Sequence, residues 1–251
     1  MADNLELKNN LHSFRAKFKE YTDFYTVIGG TACMILLDEV GRSFRATNDV
    51  DMILILEDGG KEFCKVFWDY VIEGHYTCGW KNSDPHYYRF TAPEHGYPKQ
   101  IELFSKRLDF ALDSRIVPVH IDDNVSSLSA IALDEDFYRF MKRGRRIIDD
   151  VPVLDAEFII PFKMYAWLNN LELRAKGETV NSDDIKKHKN DVFRLLPLIN
   201  PDIKIETEGT VREAVNSFFD AIVDEQIDNE LLYSGRTKEE SIELLKMIYI
   251  G

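Results

Sequence analysis

Asp49 and Asp51 stand two residues apart at the head of an apolar run, Met52-Ile53-Leu54-Ile55-Leu56. In a strand, side chains alternate with period two, so both carboxylates project from one face within a few ångströms of each other. Like charges held that close repel unless a cation sits between them, and oxygen-only ligands suit Mg²⁺. No His or Cys neighbours the pair, which argues against zinc. Upstream lies Gly29-Gly30-Thr31, between an apolar stretch and a helical one. Glycines there let the backbone approach a phosphate, and the free N–H groups of a helix start favour an anion. The plain alternative for the glycine pair is a tight turn. An Asp-x-Asp alone arises often in an acidic chain, so the surrounding elements decide its meaning.

Those elements are legible as patterns. Leu7, Leu11, Phe14, Phe18 and Tyr21 form an amphipathic helical stripe, and residues 25 to 28 form a short apolar strand. A helix through Thr31 to Leu37 is expected to end at Gly41. The strand that opens with Asp49 continues to Leu56, and Phe63, Val66, Phe67, Tyr70 and Val71 predict another helix, closed by Gly74. Residues 76 to 121 then break into short β-like pieces (76–80, 87–92, 101–105 and 117–121), with Pro85, Pro93, Gly96 and Pro98 between them. Beyond about residue 154 the chain reads as helical. Thr210 with Glu213, and Thr237 with Glu240, have the spacing of capping boxes. The expected fold is α+β, a small mixed sheet with flanking helices over residues 1–154 followed by a helical domain over 155–251.

The order of these parts narrows the chemistry. In phosphatases of the haloacid dehalogenase type and in Asp-x-Asp glycosyltransferases the apolar strand precedes the acidic pair, whereas here it follows. A Gly-Gly opening a helix, then Asp-x-Asp on the next strand, resembles the nucleotidyltransferase superfamily of DNA polymerase beta. That superfamily has a third carboxylate on a later strand, and Ile101-Glu102-Leu103-Phe104 fits it. A charge in an apolar strand is costly to bury without a cation or partner; the alternative is a Glu102 that points to solvent. Gly29-Gly30-Thr31-Ala32 with Arg45-Ala46-Thr47-Asn48-Asp49-Val50-Asp51 is most similar to the AbiEii/AbiGii-type toxin nucleotidyltransferases. Those proteins carry a later helical Lys and a basic stretch ending in Asp, matched here by Lys163 and Asp191. The resemblance covers roughly residues 25 to 200. It implies transfer of a nucleoside monophosphate from an NTP to an acceptor hydroxyl, with a two-ion Mg²⁺ site on Asp49, Asp51 and Glu102. It also implies that Lys163 contacts NTP phosphates and that Asp191 orients basic groups. Gly29, Gly30 and Thr31 would seat the phosphates, with Arg45 as a further countercharge. Alternatives for the second tier are a Lys163 that snorkels from an apolar helix and an Asp191 that is a helix-surface acid.

Composition bears on partners. A net charge of −13 opposes indiscriminate binding to nucleic acid. Two local runs depart from it, Lys142-Arg143-Gly144-Arg145-Arg146 and Lys186-Lys187-His188-Lys189. Lys186, Lys187 and Lys189 are expected to form a patch on the face of Asp191 that seats RNA or tRNA, and Arg143, Arg145 and Arg146 to grip phosphates further along. A solvated face is the alternative for the first run. The family resemblance adds a cognate antitoxin as a partner. A small-molecule acceptor of the antibiotic type, or an inactive nucleotide-binding module, would fit the same motifs. Cys33, Cys64 and Cys78 are odd in number and lack metal-site spacing, so they read as buried thiols of a reducing compartment. With a polar start and no long apolar run, the expectation is a cytoplasmic protein without a membrane partner. The aromatic-rich stretch between Asp51 and Glu102 suggests a substrate pocket of its own, and Trp68, Trp80 and Trp167 read as core.

Overall fold

The structure, a computed structural model, describes residues 11–45, 47–57, 59–81, 84–106, 116–119, 128–232 and 235–251. Leu7, the end of the expected 117–121 strand, and the side chain of Trp80 lie outside what is described. The chain forms two compact units, one of Met1–Tyr138 with Arg145–Leu154, the other of Arg139–Gly144 with Asp155–Gly251.

The first unit is built on a mixed sheet, in keeping with the expected α+β class. Its strands are β1 (Tyr25–Ile28), β2 (Asp49–Leu54), β3 (Thr77–Lys81), β4 (Asp84–Thr91), β5 (Gln100–Lys106), β6 (Ile116–Val119), β7 (Leu128–Leu133), β8 (Arg145–Ile148) and β9 (Val151–Leu154). Their order is β3-β4-β5-β2-β1-β9-β8, with β7 paired to β5 and β6 paired to β7. The β2–β5, β1–β9 and β5–β7 pairs are parallel and the others antiparallel. α1 (residues 11–18) precedes β1, and between later strands run α2 (Gly29–Glu39), α3 (Lys61–Glu73) and α4 (Glu135–Arg143), the last crossing from one unit into the other.

Period-two alternation gives this sheet one packed face and an opposite face that is buried at Thr26, Ile28 and Ile53 and polar beyond them. Tyr25, Val27, Val50, Met52, Leu54, Phe90, Ile101 and Leu103 share the packed face, and none is more than 1% exposed. Rings from α1 and α3 close over them: Phe14 and Phe63 lie 5.7 and 5.9 Å from Tyr25, and Phe67 lies 5.3 Å from Phe90. The aromatics between Asp51 and Glu102 that the structure describes are therefore largely core, not a separate pocket. The opposite face carries Asp49, Asp51, Gln100, Glu102 and Arg89, next to the buried Ile28 and Ile53. Burial also disposes of the thiols: Cys33 and Cys64 are buried, Cys78 is half-buried, and the Cys64 thiol is pushed up to about 12 by desolvation.

The β8–β9 hairpin escaped the sequence reading. Its two-residue turn is Asp149-Asp150, both in the left-handed region (φ 46° and 64°), with Ile148 paired to Val151. A turn with both central residues at positive φ suits a tight hairpin, but Asp-Asp lacks the glycine that signals one, and Pro152 argues against a strand. Arg145 at the start of β8 straps the hairpin down, donating to Thr26 Oγ1 (2.7 Å), the Thr22 carbonyl (2.6 Å) and the Tyr25 carbonyl (3.2 Å).

The second unit is helical: α5 (Ala156–Ala175), α6 (Ser182–Leu195), α7 (Gly209–Ile222) and α8 (Lys238–Tyr249). The Thr237–Glu240 capping box forms as expected at α8, with bonds of 3.1 and 2.7 Å. The Thr210–Glu213 box does not: α7 starts at Gly209 with Glu208 at its N-cap and no side-chain cap bond, so Thr210 is already inside the helix. Trp167 is fully buried against Phe218, 5.4 Å away, whereas Trp68 is only half-buried. No helix among the described residues is long and apolar enough to cross a membrane.

Pro161 lies inside α5 and cannot donate to the carbonyl four residues back, that of Glu157. The Tyr249 hydroxyl of α8 fills the vacancy with a 2.7 Å bond to that carbonyl, and full burial holds its pKa well above the ordinary tyrosine value. Tyr249→Phe keeps the ring but strands a buried acceptor, and is expected to cost about 1–3 kcal/mol. Urea melts of the variant against wild type measure it; the same substitution should be near neutral in a Pro161→Ala background, where the helix supplies its own donor.

Candidate functional site

Strand pairing assembles the acidic residues. β2 and β5 run parallel with Asp51 opposite Glu102 and Asp49 opposite Gln100, and β4 sets Arg89 opposite Glu102. Arg89, Glu102 and Asp51 thus form one row across three neighbouring strands on the polar face. Asp49 is exposed, Asp51 half-buried, and the Glu102 side chain 13% exposed. Glu102 does not point to open solvent: its Oε1 accepts from Arg89 Nε and from Gln100 Nε2, the latter at 3.2 Å. As the side chains stand, no group of three or more His, Cys, Asp or Glu among the described residues is gathered closely enough to hold a metal ion. The donors that this face offers are carboxylate and amide oxygens, a set suited to a hard cation.

The glycine pair opens α2 directly after β1 and does so against the acids. Gly29 has φ 69°, and a Cβ there would lie 2.1 Å from Asp51 Oδ2. No side chain fits between that backbone and that carboxylate. A Cβ on Gly30 would lie 2.9 Å from Thr47 Oγ1 and 3.5 Å from Arg45 Nη2, so the segment before β2 closes on the helix start. Thr31, buried, donates its hydroxyl to the Asp49 carbonyl at 2.5 Å and ties the first turn of α2 to the first residue of β2. The Arg45 guanidinium lies 5.0 Å from the centre of the Phe44 ring. Gly29, Gly30, Thr31, Arg45, Asp49 and Asp51 are thereby one local constellation, with the N-terminal end of a helix beside two carboxylates. Gly29→Ala adds left-handed strain to a steric clash and is expected to destabilise by at least about 1–2 kcal/mol. Chemical denaturation reads this, and a loss below 0.5 kcal/mol (on the order of measurement error) would mean that Asp51 is free to move aside.

Lys163 and Asp191 belong to the helical unit. Lys163 Nζ donates to Asp191 Oδ2 at 2.9 Å, and Arg194 Nη1 donates to Oδ1 at 3.1 Å. Lys163 is 4% exposed and Asp191 0%. Asp191 is therefore not a helix-surface acid, and Lys163 does not snorkel to water; the carboxylate holds a cation on each oxygen.

The basic runs are differently placed from the expected patch. Lys189 turns inward, with Nζ 2.5 Å from Glu225 Oε2 and 3.0 Å from the Gln226 carbonyl. Lys187 pairs with Asp184 at 2.6 Å and Lys186 with Asp228 at 3.6 Å. Steps of 100° per residue leave Lys186 about 60° from Lys189 around α6 but put Lys187 about 160° from it, so the three lysines do not share one face. In the other run, Arg143 donates to the Glu206 carbonyl and lies near the Phe140 and Phe158 rings, Arg145 is the strap described above, and Arg146 pairs with Glu39 at 2.7 Å. Arg89, Gln100 and Arg194 were not singled out by sequence. The visible signals were Arg89 alternating with Phe90 in a strand, and Arg194 one helical turn beyond Asp191.

No protein-family model and no curated protein matches this chain. Among solved structures, that of the antibiotic-resistance factor ANT(2'')-Ia is similar over 74% of this chain and 82% of its own, at 15% sequence identity and a TM-score of 0.40. A likeness of that extent does not assign the chain to a family, and the site stands on its own geometry.

Proposed function

We propose that the chain is an Mg²⁺-dependent nucleotidyltransferase that moves the nucleoside monophosphate of an NTP onto an acceptor hydroxyl. The observation that carries this reading is the pressing of Asp51 against Gly29 at the start of α2, with Asp49 and Glu102 on the same sheet face. A helix start favours a phosphate, but a phosphate beside two carboxylates is repelled unless a divalent cation lies between them. Asp49 and Asp51 would supply its oxygen ligands, and Glu102, whose backbone is in register with that of Asp51, would complete the set after a side-chain rotation. Mg²⁺ held there would supply charge neutralisation of the triphosphate and activation of the attacking hydroxyl.

The chain's own groups do the rest. Gly29 and Gly30 let Asp51 and Thr47 close on the helix end that would take the phosphate, Thr31 holds α2 and β2 together, and Arg45 offers a countercharge. The acceptor oxygen bonds to the α-phosphorus as the link to the β-phosphate oxygen breaks. The hydroxyl proton passes to a carboxylate of the row or to water, and pyrophosphate departs. Asp191 fixes Lys163 and Arg194 and so shapes the helical unit.

For the acceptor, a small hydroxylated molecule is favoured over RNA or tRNA. The net charge is −13, and Lys186, Lys187 and Lys189 are each engaged by acids of their own unit. The RNA reading, with a toxin role and a cognate antitoxin, keeps the support of the sequence resemblance. Incubation with Mg²⁺ and each α-labelled NTP, with total RNA and with aminoglycosides and other polyols in separate reactions, tests both. Label on a small acceptor is expected. Label on RNA alone would transfer the assignment to RNA, and no transfer with any acceptor or NTP would overturn the proposal.

A further inference from the structure

Glu102 stands between a cation and an anion. Across the sheet its neighbour on one side is Arg89 and on the other Asp51. Adjacent strands are about 4.8 Å apart, so a rotation of the Glu102 side chain suffices to exchange one neighbour for the other. In this structure it is turned to Arg89, with Gln100 adding a second donor to the same oxygen. The exposures are unequal: the Glu102 side chain is 13% exposed and that of Arg89 49%. The carboxylate is shielded while the guanidinium is open to an arriving anion. A guanidinium binds phosphate as readily as carboxylate, and an ion pair with one partner half in water is weak enough to exchange.

We infer that Arg89 is a positioning residue that holds Glu102 away from the Asp49–Asp51 pair until a nucleotide triphosphate draws Arg89 off and frees Glu102 for the cation. The inference rests on the metal-dependent reading above. It makes cation and nucleotide binding mutually reinforcing, because each is helped by the same side-chain exchange. Without nucleotide the third carboxylate is engaged elsewhere and cation affinity is low.

Mn²⁺ binding, followed by the electron paramagnetic resonance of the free ion, reads this apart from activity. The proteins are wild type, Arg89→Met, Glu102→Gln, the double variant and Asp51→Asn, each with and without a non-hydrolysable NTP analogue. Arg89→Met is expected to tighten Mn²⁺ binding about tenfold without nucleotide, a gain absent when Arg89→Met is made in the Glu102→Gln background. The analogue should strengthen Mn²⁺ binding in wild type and do so less in Arg89→Met. Arg89→Gln serves in its place should the Met variant melt early. Equal tightening in both backgrounds would mean that Arg89 acts only as a distant charge, and no tightening would mean that it does not restrain Glu102; either overturns the inference. If Asp51→Asn alone abolishes Mn²⁺ binding while Arg89 and Glu102 prove uncoupled, the metal reading survives and this one falls. Retained binding in Asp51→Asn, or no binding in any protein, removes both.

Discussion

Asp49→Asn and Asp51→Asn should each lower nucleotidyl transfer by about a thousandfold or more. A metal ion contributes several kcal/mol of transition-state charge stabilisation, and each ~1.4 kcal/mol is a factor of ten in rate. Both variants should fold. Asp49 is exposed and Asp51 half-buried, and replacing one acid of a close pair relieves repulsion while giving up only a modest interaction with the helix end. Stability should therefore stay within about 1 kcal/mol of wild type. With an NTP analogue present, Mg²⁺ should raise the melting temperature of wild type and leave that of the variants nearly unchanged, because only the state that binds the ligand is stabilised. Wild-type transfer rates in either variant would refute the assignment of these residues to the metal.

Asp191→Ala should be the most damaging single substitution for stability among those considered. It leaves the Lys163 ammonium, 4% exposed, without the carboxylate that binds it at 2.9 Å, and removes the partner of Arg194 as well. Breaking a buried pair from one side costs about 3–5 kcal/mol, a large part of the 5–15 kcal/mol that typically holds a domain together. Asp191→Asn should recover little, since an amide offers no charge. Replacing both members, Lys163→Met with Asp191→Leu, should return most of the loss, because two apolar groups of similar size remove the buried charge altogether. Equilibrium unfolding in urea, followed by circular dichroism, measures all three. A loss below about 1 kcal/mol for Asp191→Ala would mean that water reaches Lys163, as it does for surface pairs.

Much of the framework was legible in the residues themselves. The strand at residues 25 to 28, the helix closed by Gly41, the helix of Phe63 to Val71 and the box at Thr237 are patterns contained within a dozen residues, and each appears near its expected place. That Asp49 and Asp51 share a face follows from strand periodicity alone. The misses have local causes as well. Asp149-Asp150 forms a tight hairpin turn without the glycine that would announce it. Thr210 has capping-box spacing, but the helix begins before it.

The residues and their spacing set out the chemical groups and the periodicities that orient them: an acidic pair on one strand, a glycine pair at a helix start, apolar stripes to bury. Which groups meet depends on how the strands pair and what is buried. Glu102 is 51 positions from Asp51, and it becomes a neighbour because β2 and β5 pair in parallel in that register and no other. The same pairing brings Arg89 to Glu102, a contact that no spacing rule contains. Burial likewise turned Lys189 inward and made Asp191 the centre of an ion cluster, although the stretch that holds both reads as a basic patch for RNA. The physical reason is range. Alternation and helical period act over a few residues and are written in the chain, whereas register and burial are settled by which distant surfaces exclude water together.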